Sequence, residues 1–167
     1  MVKREADGDE HIGLLIAAVR RRIKQAVGSR VRRYELTTQQ FWILVAIYEH
    51  PGLSLGELAA HIRMDTPTAS RVVFTLIQRK LVEARGDATD RRRARLHLRP
   101  AGAALAGEVH ELARNVRAAV VQGLSAAEQA VLRQALRKVI ANMDRLQSTA
   151  ATAMPPRPAL RRSTELR

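Results

Sequence analysis

Between Leu53 and Arg99 the chain strings together helix-start signals, a helix stop and a basic hairpin, in an order few folds accommodate. Ser54 and Glu57 form a capping box, in which each side chain satisfies a backbone donor near the other. Leu53 and Leu58 flank it at the positions of a hydrophobic staple. The short helix after the box carries Leu55, Leu58, Ala59 and Ile62 on an apolar face, and Arg63-Met64 breaks the pattern. Asp65 is a good N-cap for a second helix, with Pro67 in the first turn, where its missing N–H costs nothing. Ala69, Val72, Val73, Leu76 and Ile77 then recur at helical period, predicting a helix over Thr66–Lys80. Its opposite face carries Thr68, Arg71, Thr75 and Gln78, with Ser70 at the border and Thr66 at the exposed N-terminal end.

Two short helices at a tight turn suit a helix-turn-helix, where the N-terminal part of the second helix reaches base edges in the major groove. Threonine, serine, arginine and glutamine all hydrogen-bond there, and arginine reads guanine through its two-donor fork. Thr66, Thr68 and Arg71 are therefore the expected base contacts, and Ser70 a phosphate contact. An ordinary solvated face accounts equally well for these residues if the helix pair is taken alone.

The hairpin favours DNA. Leu81–Arg85 and Ala94–Arg99 read as strands, and in the second Ala94, Leu96 and Leu98 alternate with Arg95, His97 and Arg99. The polar loop between them, Gly86 to Arg93, ends in Arg91-Arg92-Arg93. Three adjacent arginines repel one another and do little for stability, but they suit phosphate contacts and insertion into the minor groove. Asp87 and Asp90 are expected to order this wing by accepting hydrogen bonds from nearby arginines.

These residues resemble the MarR family of bacterial transcriptional regulators. The resemblance rests on the Ser54–Ile62 and Asp65–Lys80 helix pair, on Ser70-Arg71, on Asp90-Arg91-Arg92-Arg93, and on the strand-to-helix junction Leu98-Arg99-Pro100-Ala101-Gly102. It covers roughly Glu10 to Gln147. One departure stands in the wing, where Arg93 occupies the place of the family's usual small residue. The resemblance implies a repressor that leaves DNA when a small molecule, commonly an aromatic or phenolic acid, binds between the dimer helices and the DNA-binding lobe. His11, Trp42 and one of Arg20 to Arg22, Arg20 foremost, are the expected pocket residues, a cation beside an aromatic ring suiting an aromatic carboxylate.

Composition limits the alternatives. The net charge of +13 and pI near 11.5 point to nucleic acid or an anionic surface. The tail from Ala151 holds four arginines against Glu165, so most of the excess lies elsewhere. With Cys 0 there are no disulfides, thiolate metal sites or thiol redox sensors. Met1–Glu10 does not resemble a signal peptide, and no stretch approaches the ~18 apolar residues of a membrane span. A cytoplasmic protein, nucleoid-associated when bound to DNA, is expected. The five histidines are scattered, with no metal-ligand cluster, no glycine-rich phosphate loop and no nucleophile–base pair, so neither enzyme nor cofactor is expected.

The remaining elements are helical. Ile12, Leu15, Ile16, Val19, Ile23 and Val27 form a stripe, with Arg20, Arg21, Arg22 and Lys24 crowding the other side. No aromatic anchors accompany it, so a partner helix is a plainer occupant than a membrane surface. Thr37 with Gln40 is another capping box, opening a helix through Trp42, Leu44, Val45 and Tyr48, whose two aromatic rings are expected under the helix-turn-helix. Pro100 opens a long helix with Leu105, Val109, Leu112, Val116 and Val120 on one side. After Gly123-Leu124-Ser125, Leu132, Leu136, Val139, Met143 and Leu146 make a heptad-like seam.

The expected fold is thus mainly α with a small β-hairpin wing: a winged helix-turn-helix lobe over about residues 37–99, with dimerisation helices over 11–31 and 100–147. Residues 1–10 and 148–167 are expected to be a loose N-terminus and a disordered basic tail. The expected partners are duplex DNA with a palindromic operator, a second copy of the chain and the small acid. A nonspecific architectural nucleic-acid-binding protein is the alternative, although it has no need of an uncharged Thr/Ser reading face.

Overall fold

The computed structural model describes residues 10–87 and 94–153. Among them the chain forms six α-helices and one antiparallel hairpin, and the capping signals at Thr37, Ser54, Asp65 and Ser125 are each realised. Thr37 Oγ1 accepts from the Gln40 amide at 3.1 Å while Gln40 Oε1 accepts from the Thr37 amide at 2.9 Å, opening α2 (Thr38–Glu49). Ser54 and Glu57 make the same reciprocal pair at α3 (Leu55–His61). Asp65 Oδ1 accepts from the Thr68 amide at 2.8 Å at the start of α4 (Thr66–Gln78). Such caps contribute about 0.5–2 kcal/mol each, which matters most for a seven-residue helix that is marginal alone.

Helix α2 is the centre of the core. Phe41, Ile43, Leu44, Val45, Ala46 and Ile47 are all buried, so it is apolar nearly all round, as a helix enclosed by others must be. Leu58 of α3 and Val73 and Leu76 of α4 join the same cluster. So do Val82 of β1 (Val82–Gly86) and Leu96 of β2 (Ala94–Leu98). The strands pair antiparallel in the register Val82↔Leu98 to Gly86↔Ala94. Ala94, expected on the inner face, is exposed, because the hairpin has left the core by that point.

The long helix α5 (Pro100–Val121) packs differently from its apolar stripe. Its buried residues are Gly102, Ala106, Val109 and Ala113, while Leu105, Leu112 and Val116 flank them half-buried and Val120 is exposed. Small residues let the helix approach closely. A Cβ on Gly102 would lie 1.9 Å from the Leu81 carbonyl oxygen. Helix α1 (Ile12–Val31) buries only Val27 and Val31, and its N-terminal half exposes Ile12, Leu14, Leu15 and Val19.

The compact unit containing all of these ends at Val120, and a second begins at Val121. In that second unit Gly123 takes φ +81, and Ser125 with Glu128 caps α6 (Ala126–Ala153). None of the described side chains of α6 is buried; Leu132, Leu136, Met143 and Leu146 of the heptad seam are exposed, joined by Val131 and Ile140.

Several boundaries differ from expectation. Helix α4 stops at Gln78, because Lys80 turns left-handed at φ 57. Helix α6 continues past residue 148 to Ala153: Ser148 and Thr149 bond back to the Asp144 and Arg145 carbonyls, and alanines follow. Tyr48 is 43% exposed rather than packed beneath the lobe, its ring lying beside His110. The expected loose N-terminus up to Asp9 and the tail from Met154 lie outside the described residues.

Candidate nucleic-acid interface

Helix α4 is anchored by Ala69, Val73 and Leu76 and turns its other side outward. Thr66, Ser70 and Arg71 are exposed, and Thr68 is half-buried. Arg71 Nη2 donates to Thr68 Oγ1 at 3.3 Å, so these two expected base contacts stand side by side. Thr75 Oγ1 instead donates to the Arg71 carbonyl at 3.0 Å, which engages its hydroxyl with the helix backbone. The Asp65 carboxyl is held below the usual aspartate range by the hydrogen bonds it accepts from Thr68, so the cap stays ionised. At the other end Arg79 Nη1 donates to the Glu35 carbonyl at 2.8 Å, fixing the last turn.

The wing is rooted by a residue that the alternation of its strand places on the outer face. Arg95 Nε donates to Asp87 Oδ2 at 2.6 Å, and its Nη1 donates to Glu57 Oε2 at 2.9 Å and the Gly52 carbonyl at 3.2 Å. The carboxylates raise the Arg95 pKa, the hydrogen bond to Asp87 most. Backbone bonds reinforce the junction, from the Leu96 amide to the Leu53 carbonyl at 2.9 Å and from the Gly52 amide to the Leu96 carbonyl at 3.0 Å. The approach to α3 thus forms a partial third strand along β2. Asp90, Arg91, Arg92 and Arg93 lie outside the described residues.

The three expected pocket residues are not brought together within one chain. His11 is the exposed N-cap of α1, its Nδ1 accepting from the Gly13 amide, and Arg20 is exposed farther along that helix. Trp42 instead lines a cavity of about 310 Å³ with Gln39, Ala46, His61, Ile62, Met64 and Arg117. Arg117 carries the cation there: its guanidinium lies 5.8 Å from the Trp42 ring centroid, and Nη2 donates to Glu49 Oε2 at 2.9 Å. His110 Nε2 lies 3.1 Å from the other Glu49 oxygen. Arg117 holds the Glu49 carboxyl below the usual glutamate range despite its partial burial. A second cavity, of about 390 Å³, lies between α1 and α5 and takes Arg22 rather than Arg20 into its lining. Among the described residues no cluster of potential metal ligands occurs, and no helix is long and apolar enough to cross a membrane.

Residues 34–93 match the MarR family model. The HTH-type transcriptional repressor NicR of Pseudomonas putida is 30% identical over 134 residues, covering 80% of this chain and 85% of that protein. The chain belongs to the MarR family. It is a winged-helix, DNA-binding transcriptional regulator. Among solved MarR-family relatives, BpsR of Bordetella bronchiseptica, whose DNA binding is regulated by 6-hydroxynicotinic acid, is 28% identical with a TM-score of 0.65, over 78% of this chain and 93% of its own. A mutant of E. coli MarR complexed with operator DNA is 25% identical with a TM-score of 0.64, over 77% of this chain and 92% of its own.

Proposed function

We propose that this regulator is a homodimeric, sequence-specific repressor that releases its operator when a small aromatic acid binds. The observation that carries the DNA reading is the outward face of α4, with Arg71 and Thr68 held together by a hydrogen bond beside a hairpin clamped through Arg95. With the net charge of +13, that face has both the hydrogen-bonding groups for base edges and the field for phosphates. Thr66, Thr68 and Arg71 contact bases, Ser70 contacts phosphate, and Arg91, Arg92 and Arg93 enter the minor groove. The uncovered apolar seams of α1 and α6 supply the dimer contact, setting two half-sites about 34–36 Å apart.

The effector reading rests on the cavity beside Trp42. It holds an aromatic face, apolar walls and one guanidinium, at the small end of ligand-pocket volumes. An aromatic carboxylate would stack on Trp42 and compete with Glu49 for Arg117. His61, Ile62 and Met64 line the same space and belong to α3 and the turn before α4, so an occupant bears directly on the reading helix. NicR is named a repressor and BpsR responds to 6-hydroxynicotinic acid, which supports repression and makes that acid the first probe.

The test is fluorescence anisotropy of the purified protein on its own upstream DNA and on scrambled DNA at ~0.15 M salt. A preference of about 10³-fold supports a sequence-specific regulator. Equal weak binding to both that falls steeply with salt supports an architectural protein instead. Titrating 6-hydroxynicotinic acid into the specific complex then reads release directly.

A further inference from the structure

On the side of α4 that leaves the core, among hydrogen-bonding residues, stands an aromatic ring outside the apolar cluster of the lobe. Phe74 is 62% exposed. At about 100° per residue, the buried Ala69, Val73 and Leu76 define one pole of the helix, and Pro67, Arg71, Phe74 and Gln78 all fall within about 50° of the opposite pole. Phe74 is therefore more central to the outward face than Thr68 or Ser70. It follows Arg71 by about 4.5 Å along the axis, little more than one base step of about 3.4 Å.

We infer that Phe74 is a base-reading residue of α4, contacting the 5-methyl group of a thymine next to the base pair read by Arg71. The inference rests on the DNA-binding reading above and deepens it. The thymine methyl is the one apolar group that base edges present in the major groove, and a phenyl ring is among the side chains that recognise it by contact alone. The surroundings favour this occupant over a protein. Ser70, Arg71, Thr75 and Gln78 stand around the ring on the helix surface, with half-buried Ile77 on its core side, whereas protein interfaces centre on a contiguous apolar patch depleted of charge. The ring also carries no hydrogen-bonding group to conflict with its neighbours. It adds discrimination between thymine and cytosine at a position where Arg71 and Thr68 have no matching contact.

The experiment uses the full chain and the duplex it enriches from a randomised library. Each thymine of that duplex is replaced in turn by uracil, which removes only the methyl group, and binding is measured for the wild type, Phe74→Ala and Phe74→Leu. For the wild type, uracil at one symmetric position should weaken binding by about fourfold per half-site, hence roughly 15-fold for two. Phe74→Ala should bind more weakly and respond to that replacement by less than about twofold, while Phe74→Leu keeps part of the response. Sensitivity that persists in Phe74→Ala, or wild-type indifference at every thymine, overturns the assignment. A changed oligomeric state of Phe74→Ala in sedimentation overturns it too, in favour of a second copy as the partner of this ring. If the library yields no enriched duplex, sequence-specific reading fails first and this inference falls with it. Melting temperatures of the variants, expected to match the wild type because the site is exposed, separate these outcomes from misfolding.

Discussion

Arg95 Nε lies 2.6 Å from Asp87 Oδ2, across the mouth of the hairpin, while the same guanidinium reaches Glu57 in the first turn of α3. One side chain therefore fixes the wing to the helix-turn-helix. It should matter more to DNA binding than to folding. Arg95→Ala is expected to weaken operator binding by about 2- to 10-fold, since each interface side chain left to be ordered on binding adds a cost of that size. Anisotropy titrations alongside thermal melts check it. A large drop in melting temperature with unchanged affinity per folded molecule would assign Arg95 to stability instead.

The close approach of α5 to the start of β1 makes Gly102 intolerant of any side chain. Gly102→Ala places a Cβ against the Leu81 carbonyl, and backbone has to move to relieve it. A loss of about 1–3 kcal/mol is expected, toward the upper end, despite the better helix propensity of alanine. Urea unfolding measures it. The exposed Gly107 on the same helix is the control, where alanine should be neutral or stabilising.

Glu49 ties α2 to α5 through Arg117, and its sign with pH is determined by that partner. Its carboxyl is more acidic folded than unfolded, chiefly because Arg117 donates to it. The pair thus contributes stability that is fully present above the ordinary glutamate pKa and is lost as pH falls through the depressed value. Glu49→Gln should reduce stability at neutral pH and show a shallower decline on the acid side of that window. Parallel acid-unfolding curves for the two proteins would exclude the assignment.

Arg71 and the wing arginines should fail in different ways. Arg71→Ala is expected to remove about 1–3 kcal/mol of discrimination at one base position. Arg92→Ala should instead weaken all duplexes alike and reduce the salt slope by about 0.9 for each wing that loses a phosphate contact. Competition with point-substituted duplexes across a salt series resolves the two. Arg71→Ala binding the preferred site as tightly as the wild type would remove Arg71 from the reading set.

Legibility in the sequence tracks the range of the interaction. The caps at Thr37, Ser54, Asp65 and Ser125 join residues three apart, so the sequence alone places them. The apolar period of α4 is equally legible. That Asp87 accepts from a nearby arginine is legible too, but period-two alternation turns Arg95 outward, and only the fold brings Glu57, 38 positions away, to the same guanidinium. Glu49 and Arg117 are 68 positions apart, and no local pattern links them. A stripe of large residues along α5 passes over Gly102, Ala106 and Ala113, which do the close packing. Phe74 is hard to place for a related reason: it is a single ring within a face whose other members signal by hydrogen-bonding capacity. The pocket residues drawn from resemblance, His11 and Arg20, lie on the half of α1 that no buried side chain anchors.

The backbone pairing of Leu53 with Leu96 has a consequence for how such a protein is switched. Because the approach to α3 and β2 are stitched together, the helix-turn-helix and the base of the hairpin are held as one block. In the proposed complex the reading face of α4 and the described base of the hairpin would then meet the duplex at a fixed spacing. If an acid binds the Trp42 cavity as proposed, it would have nothing to bend there and would act by tilting the whole block on its supporting helices, leaving which bases are legible unchanged and altering only whether both half-sites are reached at once.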